Sequence, residues 1–293
     1  NKRYGVTDKK GIRTLEDEIS SEETLDPLDE LPKVDISNFK LKNDLGAFSF
    51  KDYCGEYDFC PVNYEISLPE DAFINFTSAN DSSPGTMVSL LLARAIDSCY
   101  PNKNKPIVIT YAMNYRPMLN SPLAYQNSLL MAQLFYTEKL KKLPLTTQAT
   151  IYRGMTFLQS DSELSIIPQL TLYASVIDDI LSKCDTLDDK KANFGKIIGG
   201  LFPLSSAIVS YVGKWNFGTL EQYIDEFFIH VLPGFGIKIE ITAIGGKIGL
   251  SFLQQFREEH IFKEFLAQMD IHGIKYEFIR KAQNDVANFA EPE

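Results

Sequence analysis

The stretch Gly236–Phe256, GIKIEITAIGGKIGLSFLQQF, decides the fold class. Ile237, Ile239 and Ile241 alternate with polar residues, which is the two-residue period of a half-buried strand. Gly245-Gly246 supply a two-residue turn, and a second strand returns from it. A turn this short joins antiparallel neighbours. Helical patterns flank the hairpin on both sides. The fold class is therefore an α/β (α+β) sandwich, a mixed sheet with helices packed on it.

Downstream, a helix is expected from about Glu258 to Ile271, followed by a strand over IKYEFI, Ile274–Ile279. Upstream, TLEQYIDEFFIHV (Thr219–Val231) carries apolar residues at helical spacing, with a twisted loop as the alternative. Ser205–Gly213 reads as a strand, preceded by a short charged helix near TLDDKKANFGKII, residues 186–198. Leu145–Lys183 reads as one or two helices, interrupted near QSDSE. The apolar runs Ile107–Asn114 and YQNSLLMAQLFYTEK (Tyr125–Lys139) read as strands, the second with a helix as the alternative. Ser82-Ser83-Pro84 opens a broad-faced helix from about Gly85 to Tyr100. EDAFINFTSA (Glu70–Ala79) suits a short helix, and Val62–Leu68 alternates as a strand. Glu16–Asp35 is acidic, contains two prolines, and reads as an extended surface connection.

The 293 residues are 44% hydrophobic, ample for a core, and carry a formal net charge of −10. That balance, without a Lys/Arg cluster interleaved with aromatics, argues against nucleic acid as a partner. No apolar run approaches the ~20 residues that span a bilayer, so no membrane span is expected. The chain opens on Asn1 without a signal peptide, which suits a piece of a longer, cytoplasmic protein. Asn75 and Asn80 match the glycosylation pattern, which carries no meaning without secretion. Cys54, Cys60, Cys99 and Cys184 share no ligand spacing with the three histidines, so they read as reduced thiols and no metal is expected.

His230, in FFIHVLPG, sits among apolar residues, where a structural role outweighs a catalytic one. His260 opens a polar helix and reads as solvated. His272 precedes Gly273 at a helix end, where the dipole favours a cation. None has the neighbours of a nucleophilic triad. Gly245–Lys247 lacks the Lys-Ser/Thr of a phosphate loop. Three features resist a purely structural reading. Arg116 ends an apolar strand with no acid nearby in sequence. Ser210 lies on the strand that leads to Gly213 and the only tryptophan, Trp215. It has no adjacent base, but its hydroxyl could donate to a developing oxyanion. A hydroxyl satisfied within the strand is the structural alternative. The third feature is the hairpin-plus-helix ending.

In this order, the segments GTMVSLLLARAI (Gly85–Ile96), IVITYAMNYRPMLNSPLAYQNSLL (Ile107–Leu130), IVSYVGKWNFGTLEQYI (Ile208–Ile224) and IEITAIGGKIGLSFLQQF (Ile239–Phe256) resemble a known family. It is the chloramphenicol-acetyltransferase-like superfamily of acyl-CoA-dependent acyltransferases, which includes alcohol acetyltransferases and condensation domains of nonribosomal peptide synthetases. The chain is similar to its C-terminal half, in style nearest the alcohol-acetyltransferase-like proteins of bacteria, from Glu16 through Tyr276. The resemblance implies a connection over residues 1–46 leaving a missing N-terminal lobe, and a C-terminal lobe over 47–293.

The family's His-x-x-x-Asp-Gly signature is absent. The fourth residues after His230, His260 and His272 are Gly234, Glu264 and Tyr276. The resemblance therefore implies acyl transfer from a thioester to a hydroxyl or amine, with the base supplied by the missing lobe and this chain inactive alone. It implies acyl-CoA or carrier-bound acyl-pantetheine as co-substrate, no tightly bound cofactor, and a small-molecule acceptor and a carrier protein as partners. Ser210 would serve as oxyanion donor, and Arg116 as cross-lobe partner of the motif aspartate. Asn114, Tyr115, Tyr211, Gly213 and Trp215 would line the substrate tunnel. The competing reading is a non-catalytic binding or assembly module built on the same lobe.

Overall fold

The computed structural model describes residues 18–26, 31–32, 35, 46–50, 61–101, 103–119, 121, 123–124, 129–193, 205–215, 217–231 and 236–283. Among these residues seven strands form one mixed sheet: β1 (Val62–Pro69), β2 (Ile107–Asn114), β3 (Leu129–Tyr136), β4 (Ala207–Lys214), β5 (Ile237–Ile244), β6 (Lys247–Gln254) and β7 (Glu277–Gln283). Their spatial order is β3-β2-β4-β5-β6-β1-β7. β2, β4 and β5 run parallel, and the remaining pairings are antiparallel. The main helices are α1 (Glu70–Ala79), α2 (Pro84–Cys99), α3 (Leu145–Gln159), α4 (Ile167–Leu181) and α5 (His260–Ile271).

The β5–β6 hairpin is as the sequence implies. Gly245 and Gly246 both take positive φ, 55° and 80°, the conformation that a two-residue turn between right-twisted strands demands. Pairing runs without a slip from Ile244↔Lys247 to Ile237↔Gln254. Ile237, Ile239 and Ile241 are buried on the sheet's inner face, in a core shared with Tyr64, Ile66, Ile107, Ile109, Val209, Leu250 and Phe252. Helices α1, α2, α3 and α5 cover that face. The centre of the layer is α2, where Leu90, Leu91 and Leu92 are fully buried. Burying each such side chain stabilises the fold by ~1.5–3 kcal/mol. Ser83 and Thr86 close a reciprocal box at its start, with Pro84 at the first helical position.

The long helical region breaks where expected. Asp161 caps a π-turn over Ser162–Ile166, bonding the N–H groups of Glu163 and Leu164, and α4 follows with Pro168 in its first turn. The helical run Ser162–Leu181 is 20 residues with a mean hydropathy of 1.3. A stretch of membrane-spanning length and apolarity does therefore exist. Ser162, Gln169, Thr171 and Ser175 interrupt it in sequence and hide it from a search for continuous apolar residues. At the outer rim of β3, the Gln159 amide pairs both ways with the Gln133 backbone, accepting from its N–H at 2.8 Å and donating to its carbonyl at 3.0 Å.

Between β4 and β5 the helical reading fails and the loop alternative holds. Only a 3-10 turn forms, over Gly218–Tyr223, and residues 224–231 cross the outer face of the sheet as an irregular strap. The strap satisfies its backbone from the sheet. Thr242 Oγ1 donates to the Phe227 carbonyl at 2.7 Å, and Lys247 Nζ donates to that of Asp225 at 2.9 Å. Gly249 makes room for it, since a Cβ there would lie 2.6 Å from the Phe227 oxygen. The last strand begins later than expected, at Glu277, and flanks β1 with a register shift at Glu65/Ile66.

The connection expected over 1–46 lies mostly outside the described residues. Its described part holds one exposed turn, Ser21–Thr24, and Leu31, which packs beside Met113 and Tyr115.

Candidate functional site

Alternation along the strands puts polar side chains on the outer face, opposite the helices. Two clusters form there. Under the strap, Glu65 is fully buried and holds His230 Nε2 at 2.7 Å and Arg280 Nε at 2.6 Å. Asn63 contacts the same histidine nitrogen at 3.2 Å and accepts from Ser251 Oγ at 3.1 Å. His230 thus anchors the strap to a buried carboxylate. This supports the structural reading of that histidine.

The second cluster lies on adjacent parallel strands. Ser210 of β4 is in register with Glu240 of β5, which sets its hydroxyl beside the Glu240 carboxylate. Burial raises the Glu240 pKa above its ordinary 4.5, while the nearby Ser210 hydroxyl and the charge of Lys238 pull it back down. Burial lowers the Lys238 pKa in turn. Thr110 on β2 and Gln133 on β3 extend this polar face, their side chains bonded at 3.1 Å.

The raised carboxyl pKa has a consequence for stability. The folded state binds the proton more tightly than the unfolded state, so the stability present below about pH 4.5 is lost as pH rises through the folded pKa. Glu240→Gln removes this titration. Its stability relative to the parent protein should rise across that window and level off above it. Urea unfolding at a series of pH values checks this, and a pH-independent difference would refute it.

The tunnel residues expected from the sequence divide between two environments. Tyr211 points to the helix side, packed against the core, with its pKa raised by burial and by nearby Glu70. Tyr115 is buried with Met113, Leu130, Ala132, Ile166 and Leu170. Asn114 is exposed. Gly213 has φ 99° at a register shift in β4, where one extra residue re-aims the strand end. Beyond it Trp215 is partly exposed and stacks on Phe217 at 5.9 Å and an interplanar angle of 8°, with Phe227 edge-on. Lys214 ties this end to the start of α1 through Glu70, at 2.8 and 3.0 Å.

Arg116 begins a 3-10 turn and is half-buried. Its Nε donates to the Ala124 carbonyl at 2.6 Å, and Nη1 reaches Asn114 Oδ1 at 3.3 Å. His260 meets the Tyr100 hydroxyl at 2.9 Å. His272 departs from expectation. Its Nε2 is buried without a hydrogen-bond partner, and burial with the nearby Arg94 charge lowers its pKa, so desolvation outweighs the helix dipole.

Sequence reasoning singled out Ser210 but not Glu240, Lys238 or Glu65. Their signal was the alternation itself, which marks them as off the apolar face but gives no hint of burial. Among the described residues no group of three His, Cys, Asp or Glu side chains could hold a metal ion.

No family model matches the sequence, and no curated protein matches it. Solved structures do match in fold. F. sporotrichioides TRI101 complexed with Coenzyme A and T-2 superposes with a TM-score of 0.59 at 12% identity, covering 89% of this chain and 59% of that one. F. graminearum TRI101 complexed with Coenzyme A and T-2 mycotoxin gives 0.50 at 11% identity, covering 78% and 55%. A structure of condensation domain-mediated chain release from the enacyloxin polyketide synthase gives 0.44 at 8% identity, covering 80% and 43%. The chain spans about half the length of these structures. At such identities the likeness speaks to fold alone: this is the mixed sheet with packed helices expected from the sequence, in a fold shared with TRI101.

Proposed function

We propose that this lobe works in acyl transfer from a thioester to a hydroxyl or amine, opposite a second lobe that carries the catalytic base. The observation that carries the reading is the shared fold with TRI101, an acetyltransferase with coenzyme A in its structure, along most of this chain. The donor is acyl-CoA or an acyl-pantetheine on a carrier protein, and no tightly bound cofactor takes part. A histidine of the other lobe takes the acceptor proton. The acceptor then bonds to the thioester carbonyl carbon, and the carbonyl oxygen gains negative charge. As that intermediate collapses, the carbon–sulfur bond breaks and the thiolate recovers the proton as a free thiol.

Ser210 is assigned to the oxyanion. While Glu240 is ionised, the single Ser210 proton is committed to it. A protonated Glu240 donates to Ser210 Oγ instead and frees that proton for the substrate. The raised Glu240 pKa supports this exchange. Arg116, held at the end of β2, is assigned to the aspartate of the other lobe's motif, where a bidentate fork fits a carboxylate. Asn114, Gly213 and Trp215 are assigned to the tunnel wall.

Incubated alone with acetyl-CoA and a panel of alcohols and amines, this chain should release no thiol above background. The same assay on a protein that also carries the second lobe should release thiol with at least one acceptor. Turnover by the isolated chain that disappears on His230→Ala would overturn the division of labour and place the base on the strap. No transfer by the two-lobed protein would remove acyl transfer itself.

A further inference from the structure

Two turns meet at one end of the sheet. Asn114, the last residue of β2, pairs with Leu129, the first of β3, and both are exposed, Leu129 by 54%. Beyond Asn114 the 3-10 turn Arg116–Leu119 lies against the π-turn Ser162–Ile166. The bend between α3 and α4 therefore sits at the end of the sheet that carries Arg116. Phe157 (72% exposed), Leu158 (67%) and Leu164 (82%) stand in solvent there. Single apolar residues scattered over a surface are ordinary, but a group of them at one end is not.

We propose that the second lobe docks on this end, covering Leu129 and the bend together with the Arg116 turn. The inference rests on the two-lobed acyl-transfer reading and deepens it, since it names the surface through which the lobes meet. The path of the chain is the first observation that selects this occupant. Leu31, on the connection assigned to the other lobe, packs against the cluster of Met113, Tyr115, Leu130 and Ile166. Met118 and Leu119 of the 3-10 turn pack on the same cluster. A lobe reached through that connection is tethered beside the two turns, and a tether raises the local concentration of what it carries.

The chemistry of the patch is the second. Asn114 and Glu163 are exposed among the apolar side chains, and Asp161 gives its carboxylate to the N–H groups of Glu163 and Leu164. A bilayer interior has no partner for such groups and would desolvate them uncompensated. A folded lobe can set donors opposite the acids, the mixed apolar and polar make-up of a protein interface. A second copy of this chain would bring Asp161 and Glu163 against themselves across a two-fold axis.

Hydroxyl-radical footprinting of this chain, and of a protein that also carries the second lobe, tests the docking. Labelling of Phe157, Leu158 and Leu164 should fall severalfold when the second lobe is present. The double variant Leu158→Ser/Leu164→Ser should lower the melting temperature of the two-lobed protein by several degrees and leave that of this chain alone unmoved, because those side chains are buried only at the junction. Thiol release by the two-lobed protein reads the acyl-transfer assignment separately. A bend that labels as heavily in the two-lobed protein as in this chain overturns the docking whether or not thiol is released. Protection without thiol release supports the docking and removes acyl transfer. Protection that phosphatidylcholine vesicles give and the second lobe does not makes the cover a lipid surface and overturns the proposal. So does light scattering that shows a dimer of this chain which the double variant converts to monomer, since that outcome makes the occupant a second copy.

Discussion

Ser210→Ala, made in a protein that carries both lobes, is expected to lower turnover by ~10²–10³ with little change in KM, the usual cost of one lost oxyanion donor. The expectation rests on the place of the hydroxyl. It stands on the outer face of the central parallel strand, beside the register shift that ends at Gly213, and has one proton to give. The informative companion is Glu240→Gln. A glutamine amide donates to Ser210 Oγ at every pH, so the hydroxyl proton stays available and turnover should persist. In the parent protein turnover should instead fall as pH rises through the Glu240 pKa, because the ionised carboxylate reclaims that proton. If Ser210→Ala changes turnover by less than about threefold while thermal stability holds, the hydroxyl serves the strand alone. If Glu240→Gln matches Ser210→Ala in loss, the carboxyl itself is needed and the proton-exchange account fails.

Gly249→Val is expected to destabilise the chain by about 3 kcal/mol, near the upper end for an overpacked site. Its Cβ would lie 2.6 Å from the Phe227 carbonyl oxygen, 2.8 Å from Thr242 Oγ1 and 3.1 Å from Phe228 Cδ1. Backbone on one side and a buried hydroxyl on the other leave no direction of relief except lifting the strap. Lifting it breaks the Thr242–Phe227 hydrogen bond and draws His230 from Glu65, so a carboxylate buried in the sheet loses one of its two ion-pairing partners. Thermal melting gives the loss, and limited proteolysis should show faster cleavage within 224–231. A control distinguishes crowding from a general intolerance of side chains at glycine positions. Gly154 sits mid-helix with nothing within 4 Å of its missing Cβ, so Gly154→Ala should be neutral or stabilise by up to ~1 kcal/mol. Equal melting of the Gly249 variant and the parent would mean the strap is not seated as described.

The elements legible in the sequence were those whose periodicity and boundaries agree. Gly245-Gly246 between two alternating runs could be little other than a hairpin, and Ser83-Pro84 ahead of an apolar run starts a helix. Thr219–Val231 shows where such agreement misleads. Leu220, Tyr223, Ile224, Phe227 and Phe228 recur at helical intervals, yet the carbonyls of Asp225 and Phe227 find donors on the sheet and no helix is needed to satisfy them. The strap also explains why burial on the outer face is not legible in the sequence. Alternation says only that Glu65, Thr242 and Ser251 avoid the apolar core, and it reads as exposure to water until a covering segment is known. The Ser210–Glu240 contact was beyond reach for a different reason. It depends on which strands are neighbours, and β4 and β5 meet through a crossover whose register no local pattern encodes. Ser210 itself was identified by position along its own strand, where local information suffices.

The pairing of Gln159 with the Gln133 backbone has a bearing on self-association. A strand rim with free amide and carbonyl groups is a template for another chain, and most mixed sheets have two such rims. Here one residue of the β3 rim, Gln133, is already engaged by a side chain that imitates a neighbouring strand. Among the described residues β7 pairs on one flank only, with β1. Rim-to-rim joining of copies along β3 would first have to displace the Gln159 side chain.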